Sequence, residues 1–323
     1  MNDTQATANP LGYEKIGKLL TSYAVPSIIA LIINSLYNMV DQIFIGQGVG
    51  FLGNGATNII APIATITIAI ATLFGDGLAA FFSLSLGKGE GEKAAKGLGT
   101  SIIFGGIFGI IWTVLAFAFL KPLCLIFGAT ENILPYALDY GRIIVIGFTF
   151  QIVGNTINSA IRTDGSPRYA MLSMMIGAVL NIILDPIFIF VFHWGVEGAA
   201  IATIISQLFG LLFNIAYLFR MKTIKLSRQS FTLDIRTAGR IASLGFASGA
   251  NNLTSTVVAF VSNNLMTKYG TLSPYGADIP LTTFGLCMKV SMLAFSIGIG
   301  VASGSQPIIG FNYGAKKYDR VKK

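Results

Sequence analysis

Apolar residues run along this chain in blocks of about 20 to 30 positions, broken by short clusters of glycine, proline and charge. A helix rising 1.5 Å per residue needs about 20 predominantly apolar residues to cross the hydrocarbon of a bilayer. Eight blocks satisfy that length: 17–46, 58–86, 98–120, 133–161, 169–192, 196–219, 239–266 and 281–313. They predict an all-α, polytopic membrane protein, with several spans long enough to tilt or kink. Residues 1–14 carry neither a basic run nor an apolar run, so they read as a polar tail and not as a cleavable signal peptide.

Composition agrees with that pattern. Hydrophobic residues make up 53% of the 323 and charged residues only 11%, and the mean hydropathy is +0.70, whereas an ordinary soluble domain carries roughly 25% charge. The net charge of +8 raises the question of nucleic acid, but the placement of the basic residues answers it. Alternating the loops from the N-terminus puts eighteen of the 22 lysines and arginines on the N-terminal side, and only Lys121 and Lys268 on the other; Arg142 and Lys289 fall inside blocks. The positive-inside rule makes the N-terminal side cytoplasmic, and no basic face is left for a nucleic-acid partner. Cys124 and Cys287 have no C-x-x-C spacing and read as packing residues. Gly87-Lys88-Gly89-Glu90-Gly91-Glu92 follows a membrane span and lacks Walker spacing, so it is a flexible turn and not a phosphate loop.

The blocks repeat. Residues 16–46 laid over 238–268, an offset of 222, put Gly17-Lys18-Leu19 on Gly239-Arg240-Ile241 and Asp41 on Asn263. An offset of 227 puts Gly77 on Gly304, Gly87 on Gly314 and Lys96 on Lys323. The repeat implies a polar tail (1–14), a six-helix N-terminal lobe (15–219), a basic linker (220–238) and the first two helices of a second, parallel lobe (239–323). A complete second lobe calls for four more helices, about 120 residues at this spacing.

Carboxylates inside such blocks are expensive and mark function. Asp41 lies about 7 Å below the outer end of the first block and Asp185 about 10 Å below that of the fifth. Asn181 sits one turn from Asp185 on the same face, and Asn34, Tyr37, Asn38 and Asp41 form a polar stripe at three- and four-residue steps. Thr203 lies at a similar depth, with Gln207 one turn further in. Two adjacent acids in a low dielectric resist double ionisation and can carry a proton; with neutral oxygens around them they can instead cradle Na⁺. Beyond that Na⁺, no metal site and no cofactor are expected. Pro26 interrupts the hydrogen-bond ladder below Asp41 and is either a hinge or a static kink. Asp139 and Arg142, three apart, fit local pairing, and His193 with Trp194 fits an interfacial aromatic belt.

The stretches PSIIALIINSLYNMVDQIFIGQ (26–47), RTDGSPRYAM (162–171), LNIILDPIFIF (180–190) and SGSQPIIGFNYGAKKYDRV (303–321) together resemble the multidrug and toxic compound extrusion (MATE) family. The resemblance implies that Asp41 and Asp185, with Tyr37, Asn181 and Thr203, form a cation site in the N-terminal lobe. It implies secondary active export, from a bacterial plasma membrane, of amphipathic and often cationic drugs in exchange for H⁺ or Na⁺. Asn34, Asn155, Asn158, Asp76 and Lys289 are candidates for the drug cavity. Asp76, between Gly75 and Gly77, either faces that cavity or lines a hydrated gap. Lys289 either lines the cavity wall or snorkels. A flippase of lipid-linked sugars would want several cavity cations, and only Lys289 offers itself; an intramembrane aspartyl protease would pair a Tyr-Asp with a Gly-x-Gly-Asp, but here Asp139 precedes Tyr140, and Phe74-Gly75-Asp76 breaks the second pattern. A transport-incompetent fragment is the remaining alternative. The expected partners are small-molecule drugs and the bilayer; the oligomeric state is open.

Overall fold

The computed structural model describes residues 9–323, which form helices α1 (Ile16–Gly48), α2 (Phe51–Gly87), α3 (Gly91–Ala118), α4 (Leu120–Ile126), α5 (Leu134–Ile144), α6 (Phe148–Thr163), α7 (Pro167–Pro186), α8 (Gly195–Leu218), α9 (Ile235–Gly270), α10 (Asp278–Gly314) and α11 (Tyr318–Lys322). No strand occurs among the described residues. The chain is an all-α, multi-pass membrane protein: α1, α2, α3, α5 with α6, α7, α8 and α10 are each long and apolar enough to span. The block at 239–266 also becomes a long helix, α9, but Asn251, Asn252, Ser255, Ser262, Asn263 and Asn264 dilute it below the hydropathy of the other spans. The fourth block is one span in two pieces, joined by a 3₁₀ turn at Val145–Gly147. The fifth ends in a single π turn, Ile187–Val191, immediately after Pro186. That proline has no N–H for the ladder, and the register slips so that Phe192 N–H donates to the Ile187 carbonyl at 3.0 Å.

In hydrocarbon, apolar side chains gain nothing by leaving lipid, so helices associate where small residues let backbones meet. α2 is the hub on this principle: it packs against α3, α6, α9 and α10, and α10 packs along α1. A Cβ on Gly77 would stand 2.2 Å from the Ile241 carbonyl oxygen, and one on Gly245 2.0 Å from that of Leu73. Nearer the basic face a Cβ on Gly87 would meet the Phe311 carbonyl at 2.1 Å, and one on Gly314 the Leu84 carbonyl at 2.4 Å. Leu84 and Phe311 are 227 positions apart, as are Gly87 and Gly314, so the contact is reciprocal. The opposite half of the molecule is filled by a cluster that includes Ile45, Ile59, Ile63, Phe148, Val196 and Leu281.

The basic face is tied together by polar contacts. Leu11 is buried against Leu19, Tyr23, Ile308 and Phe311. Its carbonyl accepts from Asn312 Nδ2 at 2.9 Å, the Gly12 carbonyl from Lys317 Nζ at 3.0 Å, and the Glu14 carbonyl from Arg320 Nη2 at 2.6 Å. The segment before α1 is therefore strapped to the end of α10. Asp234 caps α9 through the N–H groups of Arg236 and Thr237 and pairs with Lys96 at 2.7 Å. That pairing and the cap hold its carboxyl well below the usual carboxylate range. The other ion pairs among the described residues are Lys18–Glu14 and Lys93–Glu90. The expected Asp139–Arg142 pair is not among them; Arg142 is exposed, where one ion pair gains too little to fix a long side chain. Cys124 is buried and Cys287 exposed, both free.

Candidate functional site: a buried acid pair

α1 and α7 pack side by side, which brings Asp41 and Asp185 together although they are 144 positions apart. Asp41 is 8% exposed and Asp185 fully buried, and the two carboxyl groups lie within hydrogen-bonding reach of each other. Asn181, one turn from Asp185 on α7, donates its amide to Asp185 Oδ1 at 3.1 Å and to Thr203 Oγ1 of α8 at 3.4 Å. Tyr37 sits one turn from Asp41, close to both acids, with its hydroxyl in reach of the Asn34 and Asn38 side chains. The five residues expected to form a cation site are thus gathered in one place by three helices.

Sequence spacing missed two further groups. Tyr140 of α5 is 9% exposed and lies near enough to Asp41, Asp185 and Tyr37 for their charges to act on it. Gln42 donates to Asp41 Oδ2 at 3.4 Å and accepts from Thr57 Oγ1 of α2 at 3.0 Å. The only signal for Gln42 was its place next to Asp41, a third of a turn off the polar stripe; Tyr140 had none. Gln207, the polar residue one turn beyond Thr203, packs against Gly147: a Cβ there would stand 2.6 Å from Gln207 Oε1.

The donor set is oxygen-rich and incompletely used. Asp185 Oδ2 and Asn181 Oδ1 are buried without a hydrogen-bond partner among the described residues. A buried acceptor left unmet costs about 1–3 kcal/mol, more when it carries charge. A proton shared by the carboxyls or a hard cation held among the oxygens offsets that cost. No cluster of three or more His, Cys, Asp or Glu side chains suited to a transition metal occurs among the described residues.

The cavity candidates scatter. Asn34 accepts from Asn38 through its carbonyl at 2.7 Å and belongs to the Tyr37 stripe. Asn158 is 7% exposed, and its amide is engaged by the Ala170 carbonyl and Ser173 Oγ, both at 2.9 Å, so it joins α6 to α7. Asn155 and Ser159 lie against Gly75, 3.2 Å from where its Cβ would be. Asp76 is half-buried, its carbonyl accepts from Gln306 Nε2 of α10 at 2.9 Å, and its carboxylate acts on Arg162 of α6. Lys289 is on α10, but its side chain lies outside the described residues. Pro26 sits within an unbroken α1, flanked by contacts from Gly300 to Ile28 and from Gly304 to Ala24.

Comparison with known proteins identifies the family of the chain. The MatE family matches residues 26–187 and 248–323. Multidrug export protein MepA of Staphylococcus saprophyticus subsp. saprophyticus is 27% identical over 308 residues, and that of Staphylococcus aureus 26% over 310; each match covers 93% of this chain. The chain spans 65% of the length of those relatives. Among solved structures, the MATE multidrug transporter DinF-BH is 32% identical, with a TM-score of 0.89 over 96% of this chain and 68% of that one. A multidrug resistance MATE family transporter in an outward-facing conformation gives a TM-score of 0.84 at 25% identity, covering 99% and 68%.

Proposed function

The chain belongs to the MatE family, and from that premise we propose that it exports amphipathic, often cationic small molecules by exchange with H⁺ or Na⁺ at the Asp41–Asp185 pair. The observation that carries this reading is the meeting of two carboxyls at a buried, oxygen-lined spot where further oxygens lack partners. A bound H⁺ or Na⁺ relieves the repulsion between the acids, and its loss restores it. Either event changes how α1 packs on α7, and Pro26 is the point where α1 can bend. The reading needs no cofactor and no enzymatic step. Each charge carried across is worth about 2.3 kcal/mol per 100 mV, enough for one or two ions to sustain a drug gradient.

On this reading the basic face is cytoplasmic, in keeping with the lysine and arginine count, and the membrane is the bacterial plasma membrane. The reciprocal Gly87–Phe311 and Gly314–Leu84 contacts support a lobe at 15–219 and a parallel second lobe starting at 239, joined by 220–238. The strap at Leu11–Glu14 and these crossings hold α1, α2 and α10 together at that face.

The test is ethidium efflux from everted vesicles under separately imposed H⁺ and Na⁺ gradients, comparing the protein with Asp41→Asn and Asp185→Asn. Efflux driven by one of the two gradients and lost in both variants is the expected result. Equal efflux in the variants would remove the acid pair from the mechanism.

A further inference from the structure

On the face opposite the basic one, α9 and α10 close against α2 and the α4–α5 connection along a seam of polar contacts. Asp278, the first residue of α10, is half-buried; its carboxylate accepts from the Thr130 hydroxyl at 2.6 Å and from the Asn132 amide at 3.2 Å. From α9, the Thr267 hydroxyl donates to the Gly128 carbonyl at 3.1 Å and the Asn264 amide to the Ile126 carbonyl at 2.9 Å. From α2, the Asn58 amide donates to the Leu281 carbonyl at 2.9 Å. Glycines make the approach this close from both sides. Gly128 takes a φ of +91°, and a Cβ there would stand 3.3 Å from Thr267 Oγ1, while one on Gly285 would stand 2.4 Å from Asn58 Cγ.

The same seam buries polar atoms that it does not satisfy. Thr282 is 6% exposed, its Oγ1 is 3.0 Å from where a Cβ on Gly55 of α2 would stand, and that hydroxyl has no hydrogen-bond partner among the described residues. Asn263 is 1% exposed and lies one turn before Thr267; neither its Nδ2 nor its Oδ1 has a partner among the described residues. An offset of 222 lays Asn263 on Asp41, so the second copy of the repeat carries a neutral buried side chain where the first carries the acid. Hydrogen bonds to a carboxylate are the stronger ones, and a buried polar atom left unmet costs at least as much as a neutral bond contributes. Closure is therefore favoured by the clasp on Asp278 and opposed by Asn263 and Thr282, which an open, water-filled seam would satisfy.

We propose that this seam is a gate: Asp278 latches it on Thr130 and Asn132, and the unmet groups of Asn263 and Thr282 drive it to open and admit water between α2 and α10. The gate deepens the transport reading above and rests on it for its purpose, because cargo exchanged at the acid pair needs a path to this face. Its test reads the seam and not export, so the two fail separately.

Thiol accessibility in the purified protein, reconstituted in nanodiscs, tests the gate. Cys287, exposed, is replaced by serine, and Cys124, fully buried, is kept. Thr282→Cys, close to isosteric, then reports opening through its rate of labelling by a charged maleimide, with Leu272→Cys, at a position 79% exposed, as the freely accessible reference. Thr282→Cys is expected to label at least about tenfold more slowly than Leu272→Cys; for bonds of this strength, Asp278→Ala speeds it about tenfold and Thr130→Val, which leaves α10 untouched, about threefold. Asn263→Leu removes the unmet amide and slows labelling about fivefold. The Leu272→Cys rate stays the same in every background and Cys124 stays unlabelled, which separates opening of the seam from loss of the fold. Labelling of Thr282→Cys as fast as Leu272→Cys, a rate that Asp278→Ala and Thr130→Val leave within about twofold, or failure of Asn263→Leu to slow it would each overturn the proposal.

Discussion

Removing the carboxylate of Asp164 should release the start of the segment between α8 and α9. Asp164 is 1% exposed and lies in the α6–α7 turn beside Gly165, which takes a φ of +88°. Its Oδ2 accepts from Lys222 N–H at 2.7 Å and from Tyr217 Oη at 2.8 Å; its Oδ1 accepts from Thr223 N–H at 2.9 Å and from the Thr223 hydroxyl. In Asp164→Ala the hydroxyls can turn elsewhere, since Tyr217 already reaches Ser166 at 2.7 Å, but the two backbone N–H groups cannot. At about 1–3 kcal/mol for each donor left unmet, the loss is about 4 kcal/mol, or about 8 °C in melting temperature at about 2 °C per kcal/mol. Asp164→Asn keeps one oxygen for Thr223 and turns an amide N–H₂ toward Lys222, so about half of that loss is expected. Thermal unfolding by tryptophan fluorescence gives the magnitude, and trypsin cleavage at the exposed Arg220, Lys222 and Lys225 reports the release of the segment. An Asp164→Ala protein that melts within about 2 °C of the parent and is cleaved at the same rate would refute the reasoning.

Two further outcomes follow from contacts on the same face. Gly87→Ala drives a methyl group into the Phe311 carbonyl, 2.1 Å away; overpacking of this kind costs about 1–3 kcal/mol, so the melting temperature should fall by several degrees, whereas Gly91→Ala, with nothing within 4 Å, should leave it unchanged. Asp234 has its carboxyl held low by Lys96 and the Thr237 groups, so its cap and ion pair are fully present above the ordinary aspartate range, roughly pH 4, and are lost as pH falls through the depressed folded value. Amide exchange at the start of α9 should therefore be flat from pH 8 to 5 after correction for the intrinsic rate, and Asp234→Asn should speed it across that whole range.

The spans and the acid pair were legible in the sequence for one reason: lipid leaves polar residues few places to sit. Asp41 and Asp185 stood out against apolar runs, and helical spacing then brought in Tyr37 and Asn181. Helix boundaries were less legible where burial in protein replaces burial in lipid. α2 begins at Phe51 and not at 58 because Gly53, Asn54, Gly55 and Asn58 lower its hydropathy, yet Gly53, Gly55 and Asn58 are buried against neighbouring helices. Asn58 donates to the Leu281 carbonyl at 2.9 Å, a contact across 223 positions that no local pattern contains. Tyr140 and Asp164 escaped for the same reason. Tyr140 belongs to a helix with no other polar residue aimed at the acids, and Asp-Gly at 164–165 reads as an ordinary turn until the chain returns with Tyr217, Lys222 and Thr223. Asn158 shows the converse: its spacing suited a cavity wall, and α7 packed close enough to use its amide.

On the proposed reading, Asp41 and Asp185 hold one cation and give it up when cargo binds. The direct measurement is ion release from purified, weakly buffered protein on addition of ethidium, with a pH indicator for H⁺ and displacement of radioactive Na⁺ read in parallel. About one ion of a single kind released per ethidium bound, and none from Asp41→Asn or Asp185→Asn, is the expected result. Ethidium binding with neither ion released, or the same release from both variants, would contradict it.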